Sequence, residues 1–295
     1  MTVYFFLILQ VLLSSGTHIV AKAVSADVEP ISLTFLRGLI SMVAFAAIIL
    51  LRRRRHIERQ DYGRFFLLAV IAVPINQFLF LYGIHYTTAG NAALLYATTP
   101  AFVFLISRYV LKEFLSRRVV VGIFLAFCGA VVVIFERGLS LSSGYTYGNL
   151  MIFLAVVSWA IYTVAGKPMV IKYGAFQVSA ISMIGGTLLF LPIGIYGLAT
   201  FNLSVLTVQD WSGLFYLGWA TSILSYVLWF YAVGRLATAK VAIFSNAQPI
   251  VTTLLSYLIL HQPIGASVIT GGVLTIAGVA IAQQERPHSR RRPGT

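Results

Sequence analysis

Ten stretches of mainly apolar residues, each near the twenty or so that an α-helix needs to cross a bilayer, take up nearly all of this 295-residue chain. They fall at roughly 3–22, 30–51, 64–85, 88–111, 118–135, 147–169, 175–198, 211–233, 238–260 and 265–284. Within lipid no water completes the hydrogen bonds of an exposed backbone, so only helices and closed barrels can span. Barrel strands take only about 9–11 residues each, and these windows are too long and unbroken for them. The chain is 59% hydrophobic and 10% charged, where a soluble domain is about a quarter charged. The pattern predicts an all-α integral membrane protein of ten transmembrane helices, with no soluble domain for separate chemistry. The first window reads as a span and not a cleaved signal, because no basic segment precedes Val3.

The windows come in two related sets. Residues 79–133 align without a gap to 228–282, placing Tyr82 on Tyr231, Pro100 on Pro249, Ser107 on Ser256, Gly122 on Gly271 and Gly129 on Gly278. Matched Leu and Val come freely in an apolar chain; a Pro and two Gly in register do not. Upstream, Lys22 aligns with Lys167 at a slightly smaller offset. An odd number of spans per copy forces the second copy to enter the membrane upside down. The expected organisation is a five-helix repeat over 1–138, a connecting loop over 139–147, an inverted five-helix repeat over 148–285 and a basic tail over 286–295. Inverted repeats of this kind place a substrate site near the bilayer midplane, between the halves.

The formal charge of +13 reads as topology. With the N-terminus in the cytoplasm, every Lys and Arg except Lys22, Arg37 and Arg137 falls on the cytoplasmic side, as the positive-inside rule requires. Both termini are then cytoplasmic, and the basic surface meets anionic lipid and not nucleic acid. Cys128 is the single cysteine, which excludes an internal disulfide and a cysteine-based metal site; no cofactor is expected.

Leu81-Tyr82-Gly83 through Pro100, then Lys112-Glu113 and the Gly122/Gly129 helix, resembles the EamA half of the drug/metabolite transporter superfamily, and Phe35-Leu36-Arg37 resembles its Arg-containing second helix. The second half keeps Pro249 and the glycines but carries His261-Gln262 at the Glu position and Ser182 at the Arg position. The resemblance covers essentially the whole chain. It implies an exporter of amino acids or other small metabolites, with the YddG-type aromatic amino acid exporters as the relatives in view.

Three matched stripes are candidate cavity walls. Ser14, His18 and Lys22 share one helix face, and their equivalents Trp159, Thr163 and Lys167 repeat the spacing. Asn76, Gln77 and Phe80 stand against Ser225, Tyr226 and Trp229; an unpaired amide at that depth is costly. Pro74 reads as opening its helix and bending it. With Tyr82, Tyr162 and Tyr231 these residues offer flat walls with polar tips. Asn91, Tyr96, Thr98, Thr99 and Pro100 stand against Lys240, Ser245, Asn246, Gln248 and Pro249, and a proline within a span marks a hinged wall. The expected substrate-binding set is Ser14, His18, Asn76, Gln77, Tyr82, Trp159, Tyr162, Thr163, Tyr226, Trp229 and Asn246, with Pro100 and Pro249 as hinges. Core packing is the competing account of each aromatic. Arg37, inside a span, must be paired or solvated, by a substrate carboxylate or by Glu136. The two Lys near helix ends read as snorkelling.

All eight acids lie in or beside loops. A proton or sodium antiporter commonly keeps one at the membrane centre, so the expectation is facilitated export, or coupling that uses no buried carboxylate. His18 is the titratable group within a span suited to neutral pH. The reading is a secondary transporter of the bacterial inner membrane, monomer or weak dimer, exporting amino acids with aromatic or large neutral side chains preferred. Alternatives are a carrier of nucleotide sugars or drug-like compounds, or an intramembrane enzyme, which lacks central acids here.

Overall fold

The computed structural model describes residues 2–51, 55–113, 116–136, 143–260 and 266–283. The tail 286–295 and the His261-Gln262 pair lie outside them, as do the side chains of Asn91 and Glu136. Twelve helical pieces run in order: α1 (Thr2–Val24), α2 (Pro30–Leu51), α3 (Arg59–Tyr86), α4 (Ala89–Tyr96), α5 (Thr99–Val110), α6 (Arg117–Glu136), α7 (Ser143–Tyr173), α8 (Ala175–Thr200), α9 (Val208–Val233), α10 (Thr238–Ala242), α11 (Gln248–Leu260) and α12 (Ala266–Gln283). No strand occurs among the described residues. Helices α1, α2, α3, α7, α8 and α9 contain stretches long and apolar enough to cross a membrane, and α5 and α12 carry shorter apolar stretches. Their outer faces leave Leu51 88%, Val208 86% and Tyr109 79% exposed. Burying one such side chain is worth about 1.5–3 kcal/mol in water, so a surface built of them belongs in lipid.

Two predicted windows are broken. The window 88–111 divides into α4 and α5 at Ala97–Thr98, and 238–260 divides into α10, a tight 3₁₀ stretch Ile243–Ala247, and α11. Pro100 does not free a carbonyl inside a continuous helix: it is the second residue of α5, in a first turn where the missing N–H has no intrahelical acceptor anyway. Pro249 is the second residue of α11 and follows the 3₁₀ stretch directly, with the backbone helical throughout. Pro74 also differs from its predicted place. It does not open α3 but lies within it, in a π-helical stretch Ile71–Gln77. Helix α9 carries its own π-helical stretch, Tyr216–Ser225, in overlapping register and without a proline.

The packing is reciprocal. Helix α2 lies on α8, and α6 on α12 in the most extensive pairing of all; α1 packs on α9 as α7 packs on α3, and on α11 as α7 packs on α5. At the α6–α12 crossing a β-carbon on Gly122 would stand 2.6 Å from the carbonyl oxygen of Gly278, and one on Gly129 2.5 Å from that of Gly271. Only glycine permits this approach. Between helices in lipid, where no hydrophobic force drives association, close backbone packing supplies the adhesion.

Candidate functional site

Helix α1 presents Gln10, Ser14, Thr17 and His18 on one face, at the i, i+4, i+7, i+8 spacing of a single stripe. They wall a cavity of about 70 Å³ closed by α2, α3, Tyr96 of α4, Trp159 of α7, α9 and the α10–α11 junction. That is space for about five waters.

The polar side is a directed relay. Ser14 Oγ donates to the carbonyl of Gln10 at 2.9 Å, so it accepts from Gln248 Nε2 at 3.1 Å. This turns Gln248 Oε1 toward His18 Nε2, 3.3 Å away. A carbonyl oxygen only accepts, so Nε2 carries a proton, and in the neutral ring Nδ1 keeps a lone pair. Neither His18 Nδ1 nor Gln10 Oε1 has a protein partner among the described residues. The ring of His18 is held edge-on between Phe80 (5.6 Å) and Tyr96 (5.4 Å).

The π-helical stretches aim the next wall. A widened turn resets the facing of the residues at its end, and in α3 two consecutive residues, Asn76 and Gln77, both reach the cavity; in α9 Ser225 and Tyr226 do the same. Asn76 Nδ2 donates to the Ala155 carbonyl (2.8 Å) and to Ser158 Oγ (3.1 Å). Gln77 Nε2 contacts Met183 Sδ at 3.2 Å. Opposite stands an aromatic wall: Trp159 lies edge-on to Tyr226 at 4.9 Å and tilted on Trp229 at 5.6 Å.

Arg37 enters from α2 and is 3% exposed. Its Nε donates to Ser222 Oγ at 2.8 Å and Nη2 to Thr221 Oγ1 at 3.2 Å. Those hydroxyls are both backed by the Leu217 carbonyl, which accepts from them. Ion pairs among the described residues involve Asp61, Glu58 and Glu113, and none reaches Arg37. A guanidinium carries five N–H donors, so this one retains capacity for an anion.

Of the residues predicted to bind substrate, Ser14, His18, Asn76, Gln77, Trp159, Tyr226 and Trp229 line the cavity, with Arg37. The other four do not. Tyr162 stacks behind Trp159 at 5.7 Å, and Thr163 Oγ1 accepts from Trp229 Nε1 at 3.1 Å, so both support the wall. Tyr82 stands in a separate ring cluster with Phe78, Tyr86 and Tyr147. Asn246 is fully buried in the 3₁₀ stretch, which packs on α6, and neither side-chain polar atom has a protein partner among the described residues. Lys22 and Lys167 are not loose snorkels; each Nζ caps helix-end carbonyls, those of Ile84 and His85 for Lys22 and that of Leu236 for Lys167. Sequence reasoning missed Gln10, Thr17, Thr221 and Ser222. Gln10 lies one turn before Ser14 and was legible from the stripe; the two hydroxyls of α9 became meaningful only once Arg37 was seen against them.

The EamA-like transporter family matches this chain over residues 1–135 and 146–283. An uncharacterized transporter of Archaeoglobus fulgidus is 28% identical over 92% of this chain and 94% of that one. The uncharacterized transporter YetK of Bacillus subtilis is 29% identical over 70% of this chain, a match spanning 64% of that protein. A "probable terminal-alkyne amino-acid exporter" of Streptantibioticus cattleyicolor is 28% identical over 82% of this chain and 80% of its own length. A crystal structure at 19% identity superposes over 93% of this chain and 98% of that one, with a TM-score of 0.74.

Proposed function

This chain belongs to the EamA-like transporter family, and we propose that it exports amino acids with aromatic or large neutral side chains across the bacterial inner membrane. The observation that carries the substrate class is the pairing, in one cavity, of a buried Arg37 that among the described residues meets hydroxyls and no acid with an aromatic wall of Trp159, Tyr226 and Trp229. A buried cation without an acid is expensive, and a substrate carboxylate relieves that cost. His18 Nδ1 and Gln10 Oε1 present acceptors suited to an ammonium group. The chemistry complements a zwitterion carrying a flat side chain. The amino-acid exporter among the relatives supports the class. Arg37 is the one Lys or Arg among the described lining residues, which is poor provision for the two phosphates of a nucleotide sugar.

The mechanism is alternating access between two inverted five-helix repeats, ten spans in all, with both termini cytoplasmic. The reciprocal packing of α1–α9 with α7–α3 supports this organisation, as do the crossed glycine contacts, Gly122 with Gly278 and Gly129 with Gly271. A pseudo-two-fold axis pairs each site with the other's equivalent in this way. The break between the two family matches falls at the loop expected between the repeats. A cavity of about 70 Å³ cannot hold an aromatic amino acid as it stands, so loading parts the helices around it, with the α4–α5 and α10–α11 junctions as flexing points. Chemistry on the substrate is not part of this reading.

Counterflow in proteoliposomes tests it. Tryptophan, phenylalanine and leucine should exchange, whereas tryptamine, which lacks the carboxylate, should not. Arg37→Gln should lower exchange at least about tenfold, the worth of one charge-assisted hydrogen bond. Trp159→Ala and Trp229→Ala should shift preference away from rings. Exchange of tryptamine at the tryptophan rate, or full activity of Arg37→Gln, would overturn the carboxylate assignment.

A further inference from the structure

A second opening, of about 680 Å³, lies where the C-terminal ends of α2 and α9 meet the α7–α8 junction. Its lining is divided. Ile49, Ile171, Phe176 and Val227 form an apolar floor, and Arg55 and Arg235 stand at the rim without an acid among the described lining residues. Ile171 is 61% exposed, and next to Ile49 the side chains of Leu50 and Leu51 are exposed still further. Large aliphatic groups left open this way face hydrocarbon, so the opening looks sideways into the bilayer.

Both guanidiniums are fixed in place. Arg235 lies 3.5 Å from the centroid of the Tyr231 ring and donates to the Tyr231 carbonyl at 3.1 Å. Arg55 donates from Nη1 to the Lys172 carbonyl at 2.6 Å, while its backbone N–H donates to Gln177 Oε1 at 2.9 Å. Each has one side-chain donor engaged and others to spare, and planar guanidinium forks match phosphate oxygens. We propose that this opening binds an anionic phospholipid, its phosphate between Arg55 and Arg235 and one acyl chain along Ile49, Ile171, Phe176 and Val227. Basic pockets between spans at the membrane surface take lipid head groups on the same physical grounds. The bound lipid would touch α2, α7, α8 and α9 at once, elements that also wall or back the central cavity.

Native mass spectrometry on the purified full chain, titrated with phosphatidylglycerol or phosphatidylcholine, reads this directly. One phosphatidylglycerol should be retained per chain, in preference to phosphatidylcholine. Arg55→Gln and Arg235→Gln should each weaken that binding about fivefold, whereas Arg64→Gln, another exposed basic residue, should leave it unchanged. Equal retention of the two lipids, or parental binding by both variants, would overturn the proposal. Displacement of the lipid by an equal concentration of inorganic phosphate would overturn it too, by identifying a soluble-anion site. The lipid preference is read on the unaltered chain, so it decides even where a variant fails to fold.

Discussion

Two lysines in equivalent places do different work. Lys22 ends α1 and donates to the carbonyls of Ile84 and His85 at the close of α3, at 3.1 and 3.0 Å. Lys167, near the end of α7, donates to the carbonyl of Leu236 at 2.7 Å and adds an ion pair of 2.6 Å with Glu113. Glu113 in turn accepts from the backbone N–H of Thr238 (Oε2, 3.0 Å) and from its hydroxyl (Oε1, 3.0 Å), tying the α5–α6 connection to the start of α10. Beyond it, Lys172 joins Asp61 and Glu58, at 2.7 Å each. The Lys22 contacts are dipole capping, worth about 0.3–1 kcal/mol. The Lys167 contacts are a largely desolvated ion pair, both side chains about 15% exposed or less, in which loss of one partner strands the other. Of two cations at aligned sequence positions, one is a cap and the other a clasp, and the acid is what separates them.

Glu113→Gln is the sharpest way to break that contrast, because it removes the charge of the acid that Lys167 has and Lys22 lacks among the described residues. Removing one member of a buried pair costs about 3 kcal/mol, read as a loss of unfolding free energy in detergent. In a double-mutant cycle with Lys167→Gln the coupling should exceed about 1 kcal/mol. A loss no larger than that of a surface substitution would mean that the clasp is ornamental and the two ends are energetically alike.

Lys22→Met comes next, with an expected loss of about 1 kcal/mol by the same unfolding measurement. Two carbonyls at the close of α3 lose a donor, but no charge is stranded. Equal losses for Lys22→Met and Glu113→Gln would erase the asymmetry from the other direction.

The sequence made the pairing of these lysines visible and hid what each one holds. Register carried the first: Lys22 and Lys167 fall on aligned positions of the sequence. Their partners lie sixty or so residues away at the ends of other helices, and nothing in an apolar pattern says which carbonyl a side chain will meet. The same divide runs through the cavity. Periodicity brought Ser14 and His18 to one face, and depth singled out Asn76 and Trp229. It could not separate Trp159, which lines the space, from Tyr162 stacked behind it. The π-helical stretches are the missing step, since each resets the facing of the residues at its end, and α9 makes its own without a proline to announce it. Proline was tied to a break in its span, and in the first half Pro100 stands as the second residue of the piece that follows the break.

The smallest expected effect sits at the outer edge of the clasp. The Glu58 carboxyl is held below its usual range chiefly by its hydrogen bond to Lys172, then by Gln60. A depressed carboxylate pKa stabilises the fold above the unfolded-state value of about 4.3, and that contribution fades as pH falls through the lower folded-state value. Between pH 7 and pH 5 the difference in unfolding midpoint between the parent chain and Glu58→Gln should therefore stay constant. It should shrink only as the pH is taken below about 4. Because Glu58 is solvent-screened, that difference should also diminish in high salt, while the deficit of Glu113→Gln, set in a drier site, should persist. A Glu58 contribution that fell away between pH 7 and pH 5 would show that its carboxyl is not depressed, and that the pairing of Lys172 rests on Asp61 alone.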